Sequence, residues 1–203
     1  MVRGFFCLLS FAKVPCLWYN REKLKRSDSM KKEINAFDYT AQITQAMQHG
    51  GVLLTTKVGD QVNTMTIGWG TMGVEWKKPI FTAFVRESRY TREMLEKSGE
   101  FTVNIPVNGS CSPDKLLYCG RNSGRDGDKI QAMDFHLTDS DCVSVPGIQE
   151  LPLTLECKVL FTARQDPKAL PQEIQNSFYP VKDGKQDAHI AFYGEILKAY
   201  ILE

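Results

Sequence analysis

Along residues 62–67, VNTMTI, polar and apolar side chains alternate, which puts Thr64 and Thr66 on one face of a strand and Met65 and Ile67 on the other. The preceding VLLTTK (52–57) is rich in β-branched residues, and VGDQ between the two runs is a turn sequence, so together they predict a β-hairpin. Upstream, Tyr39, Ile43, Ala46 and Met47 recur at helical spacing, predicting a helix over 38–48 capped by Asp38 and ended by Gly50 and Gly51. Downstream, residues 80–85 form another strand-like run. Ser88 is placed to cap a helix through REMLEKS that Gly99 stops, and EFTVNI reads as a strand. Ser112-Pro113-Asp114 opens a second short helix, with proline at its first position. A polar, glycine-rich loop, GRNSGRDGDK (120–129), follows. The remainder reads as short strands, CVSV, LTLECKVLFTA and AHIAFYGEILKAYIL, interrupted by one helix-like insert, PQEIQNSF. Many strands, few helices and no β-α-β alternation predict an antiparallel β architecture, closed or partly open as a barrel.

One stretch points elsewhere. IGWGTMG (67–73) contains G-x-G-x-x-G after a strand-like run, and Glu87 follows at about the distance of the acid in a dinucleotide-binding fingerprint. That fingerprint needs a helix starting within the glycines, because the helix N-terminus holds the pyrophosphate. Pro79 falls where the second turn would run, and another strand-like segment follows it. The glycines therefore belong to a loop between two strands.

A chain of 203 residues suits one domain with a sizeable core. The formal net charge of +1 lacks the basic excess of a bulk nucleic-acid binder. Six cysteines without a C-x-x-C, and three scattered histidines, support neither a disulfide scaffold nor a structural zinc site. Free thiols in a reducing compartment, the cytoplasm, are the expectation. Residues 1–29 carry an apolar run too short to span a bilayer and then a basic stretch, and they read as an extension outside a domain covering 30–203. No membrane partner is expected.

The sharpest chemical signal is Arg86-x-Ser88-Arg89-x-Thr91, set between a strand and a helix. A helix N-terminus offers unpaired N–H groups and partial positive charge, and two guanidinium groups and two hydroxyls beside it suit a phosphate monoester.

Taken together, NTMTIGW, KPIFTAFVRESRYTREMLEKSGEFTVNIP, CGRNSGRDGDK and HIAFYGEI resemble, in order and spacing, the flavin reductase-like family over residues 37–203. That resemblance implies a Greek-key split β-barrel with added helices, usually a homodimer, that binds FMN noncovalently near the subunit interface. It implies that Thr64, Met65 and Thr66 face the isoalloxazine, that Gly68 lets the chain approach it and that Trp69 flanks it. It places Arg86, Ser88, Arg89 and Thr91 on the phosphate, and Ser123, Gly124 and Lys129 in a loop that approaches the flavin, from the same or a partner subunit. His189 is the candidate catalytic residue, and Cys119 a packing thiol. The implied function is an FMN-dependent oxidoreductase taking hydride from NADH or NADPH and passing electrons to a small molecule or redox protein. The alternatives are a flavoredoxin-like electron carrier, an oxidase resembling pyridoxamine-phosphate oxidase, and a sensor without turnover.

Overall fold

The computed structural model describes residues 30–203; the expected 1–29 extension, with Cys7 and Cys16, lies outside them. The first elements are a short strand β1 (Lys31–Glu33), helix α1 (Thr40–Gln48), the hairpin β2 (Val52–Val58) and β3 (Gln61–Ile67), and the hairpin β4 (Gly70–Glu75) and β5 (Lys78–Arg86). Helix α2 (Tyr90–Ser98), strand β6 (Glu100–Ile105), helix α3 (Pro113–Arg121) and the single turn α4 (Lys129–Ala132) follow. After two two-residue strands, β7 (Leu137–Thr138) and β8 (Gly147–Ile148), come the long strand β9 (Leu153–Arg164), helix α5 (Gln172–Phe178) and the final strand β10 (His189–Leu202).

The main sheet runs β3-β2-β6-β9-β10-β5-β4, with β1 added to β10, and every pairing is antiparallel. It curls around a core that includes Leu54, Phe81, Phe101, Leu155 and Phe192. Curling requires bent strands, and the β9–β10 ladder shifts register at Tyr193/Gly194 and again at Ile196/Lys198. Gly194 sits where Phe101 fills the barrel: a Cβ there would lie 2.4 Å from the Phe101 ring, so only glycine lets strand and ring approach so closely. The end strands β3 and β4 are not paired with each other. The chain passes from one to the other at Gly68-Trp69, and this seam makes the barrel a split one. A second apolar cluster, with Leu53, Leu116, Cys119 and Ile148, packs α3 onto the outer face of β2.

Several local expectations change. The glycine motif is mostly strand β4, not loop, and none of Gly68, Gly70 and Gly73 has positive φ. Gly70 serves close packing, since a Cβ would stand 3.0 Å from both Met47 and Phe81. The sharp turn comes later, at Trp76 and Lys77, both left-handed with φ of 51° and 59°. Asp38 does not cap α1. It lies in a 3-10 turn (Ala36–Tyr39) capped by Asn35, and the α-helix begins at Thr40. The CVSV segment is not a strand: the N–H groups of Asp141 and Cys142 donate to the buried Glu156 carboxylate and that of Ser144 to Glu100, so side chains take the place of a neighbouring strand.

Candidate functional site

The seam exposes one backbone edge of β3, because β3 pairs only with β2. Facing that edge are the end of β5, the start of α2, the 122–128 loop and the start of β10. Between them lie two adjoining cavities of about 150 and 130 Å³ that share Met65 and Arg89. The first is walled by the β3 end, Gly68, Trp69, Phe84, Arg86 and His189. The second is walled by residues 88–91, Cys119, residues 122–125 and Lys129.

The second cavity gathers cationic and N–H donor groups. Helix α2 starts at Tyr90 with Arg89 in extended conformation as N-cap, and no side chain satisfies its first turn. Lys129 is 5% exposed, and its Nζ donates to the carbonyls of Cys119 and Asn122, both at 3.3 Å. Among the described residues it has no carboxylate partner. Burial pulls its ammonium down to about 8, and the Arg89 charge acts in the same direction. At neutral pH it is a buried cation without a counter-ion, an arrangement that an entering anion would relieve. Asp128 caps α4 through the N–H groups of Ile130 and Gln131 and so sets Lys129 in place. Arg125 holds the loop against α2 by pairing with Glu93 and lying over the Tyr90 ring. Gly124 permits that closeness, since a Cβ there would meet Asn63 Oδ1 at 2.1 Å. This loop reaches the cavity from the same chain.

At the other end, His189 is 5% exposed, with Nδ1 2.8 Å from the Tyr179 hydroxyl and its ring 4.8 Å from that of Trp69. Burial, helped by the charge on Arg86, lowers it to about 4, so it is neutral at pH 7. Arg86 donates Nη1 to the Asp187 carbonyl at 2.8 Å and Nη2 to that of Phe178 at 2.9 Å, tying down the segment between α5 and β10.

The structure thus brings Met65, Thr66, Gly68, Trp69, Arg86, Ser88, Arg89, Thr91, Ser123, Gly124, Lys129 and His189 around one cleft, and leaves Thr64 outside it. Individual roles differ from expectation. Ser88 does not cap α2: its hydroxyl donates to Asp187 Oδ2 at 2.7 Å and its N–H to Oδ1 at 3.1 Å, so a carboxylate of the chain holds two donors assigned to a phosphate. The Thr91 hydroxyl is buried and accepts from Asn63 Nδ2 at 2.9 Å. Thr64 is buried with its hydroxyl 3.0 Å from that of Thr55, and the Thr66 hydroxyl donates to the Leu116 carbonyl under α3. Thr64 lines neither cavity and Thr66 spends its hydroxyl on α3, so β3 offers the cleft mainly its backbone and Met65. Asp187, Asn122 and Tyr179 were not foreseen. Asn122 stood within the recognised polar loop, but the other two carried no local signal.

The antiparallel split barrel is the fold of flavin reductase-like proteins, and the chain belongs to that family: the flavin reductase like domain matches residues 44–203. Flavoredoxin from Methanosarcina acetivorans is 30% identical, with 76% of this chain and 69% of that one covered at a TM-score of 0.58. Nitrilotriacetate monooxygenase component B from Bacillus cereus shares the fold at 15% identity and a TM-score of 0.58, over 85% of this chain and 79% of that one. The uncharacterised Escherichia coli protein YddH is 30% identical over 121 residues, which span 58% of this chain and 62% of that protein, under two thirds of its length. Among the described residues no helix is long and apolar enough to cross a membrane.

Proposed function

We propose that the chain binds FMN in the seam cleft and acts as an oxidoreductase, receiving reducing equivalents from NADH or NADPH and delivering them to an acceptor. The observation that carries the proposal is the buried, carboxylate-free Lys129 in one cavity with Arg89 and the uncapped start of α2. The donor set fits a phosphate monoester, and the space beyond Arg89, edged by β3 backbone and lined by Met65, Trp69 and Phe84, supports a planar ring there. When bound, FMN supplies the hydride and electron transfer chemistry.

In this reading Lys129, Arg89 and the first N–H groups of α2 hold the phosphate, and Ser88 joins them once released from Asp187. The β3 edge orients the ring through main-chain hydrogen bonds, while Trp69 and Phe84 exclude water from it. His189, neutral at pH 7, is a hydrogen-bonding group rather than a cation. A neighbouring cavity of about 710 Å³ carries Arg86, Lys182 and Lys185 against Glu87 and Asp187, and its three cations support a dinucleotide donor, whose pyrophosphate is anionic.

A second reading, an electron carrier without nicotinamide activity, is favoured by the 30% identity to a flavoredoxin. One experiment addresses both. FMN is titrated into the purified chain by fluorescence, and the flavin spectrum is followed anaerobically on addition of NADH or NADPH. Tight binding and rapid bleaching support the enzyme reading, and binding without bleaching supports the carrier. A chain that does not bind FMN sinks both.

A further inference from the structure

A cavity of about 720 Å³ adjoins the seam cleft at Trp69. It sits between α1, the β3–β4 corner and the connection from β9 to β10, and it shares Gly68, Trp69 and Phe84 with the seam cleft. Its walls include Met47, Leu170, Ile174 and Phe178, and no lysine, arginine, histidine, aspartate or glutamate is among the described residues that line it. The 710 Å³ cavity that shares Phe178 and Tyr179 with it holds Arg86, Glu87, Lys182, Lys185 and Asp187. The Phe178-Tyr179 pair therefore divides charged space from uncharged space.

Three large apolar side chains at this cavity stay exposed, Trp69 at 40%, Ile174 at 39% and Phe178 at 46%. Trp69 and Phe178 meet edge to face with centroids 5.2 Å apart, forming a flat-walled corner. Polar capacity is sparse and neutral. Gln165 Oε1 accepts from the Tyr179 hydroxyl at 3.1 Å, which leaves its amide N–H groups as donors, and Gln48 offers a second amide. Aromatic walls, two amide donors and no ionisable wall except the Tyr179 phenol suit a flat, uncharged molecule with carbonyl oxygens.

We infer that this cavity is the acceptor site and that it takes neutral quinones. The inference rests on the proposed function for its electron source. The overall step balances as quinone + NAD(P)H + H⁺ → hydroquinone + NAD(P)⁺: two electrons and one proton arrive as the hydride equivalent, and the second proton comes from solvent. A sulfonated quinone would bring its charge against walls that hold no counter-charge, and is disfavoured for that reason.

The test uses the full chain loaded with FMN. Steady-state reduction of 1,4-naphthoquinone is compared with that of its 2-sulfonate, and binding of 1,4-naphthoquinone is measured by calorimetry with no nicotinamide present. Wild type is compared with Ile174→Trp and Leu170→Trp, which fill the cavity from its outer wall. The expected result is at least a tenfold preference in kcat/KM for the neutral quinone. Both variants should weaken its binding and raise its KM by about tenfold or more, with FMN affinity and ferricyanide reduction unchanged. Equal use of the sulfonate, or a naphthoquinone affinity indifferent to both variants, overturns the inference. So does loss of FMN binding in the variants, which would give the cavity to the flavin, or a change in subunit mass with KM unmoved, which would give it to subunit pairing. The calorimetric arm keeps this inference distinct from the nicotinamide reading: quinone binding lost in the variants supports the site even in a chain that NAD(P)H fails to reduce.

Discussion

Lys129→Met removes the buried ammonium and keeps most of its apolar stem. Moving an ammonium from 10.5 to about 8 means that holding it charged in the free protein costs about 3 kcal/mol. Removing it relieves that cost but takes a donor from the Cys119 and Asn122 carbonyls, each worth about 1 kcal/mol, so the free variant should be at least as stable as wild type at pH 7. FMN affinity should move the other way. If a phosphate neutralises Lys129, binding raises its pKa back toward the ordinary value and takes up a proton as pH passes 8. Affinity then falls as pH rises through 8 toward 10.5, by a limit of about 300-fold for the full 2.5 units. Riboflavin carries the same ring without the phosphate and controls for ionisation of the ring. The assay is a fluorescence titration of FMN and riboflavin from pH 7 to 9.5, with urea melts of the free proteins. Wild-type affinity for FMN, but not for riboflavin, should decline above pH 8, and the variant should bind FMN at least tenfold more weakly with a flatter profile. A wild-type FMN affinity constant across that range and equal in Lys129→Met would refute the phosphate assignment.

Arg89→Ala should weaken FMN binding by about tenfold or more and leave riboflavin affinity unchanged, since a hydrogen bond to a charged group contributes about 1.5–3 kcal/mol; equal losses for both ligands would return Arg89 to a general structural role. Asp187→Asn removes the negative charge that holds Ser88, so FMN affinity should rise several-fold in titrations at low salt, and an unchanged or lower affinity would show that Asp187 does not compete with the ligand. His189 is protonated at about 4 in the fold against 6.5 when unperturbed, so the unfolded chain binds the proton first and stability falls as pH drops from 6.5 to 4, by about 3 kcal/mol in all. The difference between wild-type and His189→Phe urea melts should shrink by that amount across the window, and a constant difference would contradict it. Trp76, Phe161 and Tyr193 form an exposed aromatic group on the outer sheet face, with Trp76 and Phe161 each 51% exposed, and we expect it to pair two copies. Trp76→Asp should then convert a dimer to a monomer in sedimentation, and an already monomeric wild type would exclude the pairing.

Much of the architecture was legible because it follows from local periodicity and local caps. Residues 62–67 alternate, and the fold uses that alternation with Met65 and Ile67 inside the barrel. Ser112 caps α3 as its sequence implies, accepting from the Asp114 N–H, and Gly99 ends α2 in the left-handed conformation. The Pro79 argument against a dinucleotide-binding helix was equally local, and residues 70–86 are a hairpin.

What the sequence could not decide was which partner each polar group would find. Ser88 has the composition of a cap, yet Asp187, 99 residues on, takes both of its donors because β10 begins beside the end of β5. Thr64 and Thr66 occupy the alternate face as read, but only the pairing with β2, which brings Thr55 to Thr64, and the packing of α3, which brings the Leu116 carbonyl to Thr66, show that their hydroxyls are consumed within the protein. The charge state of Lys129 depends on its burial and on the Arg89 charge at the start of α2, and that of His189 on its burial and then on the Arg86 brought across from β5. Periodicity and capping act over one turn or one strand, so the chain specifies them by itself. Desolvation and hydrogen-bond competition act through space, so the barrel has to close before they exist.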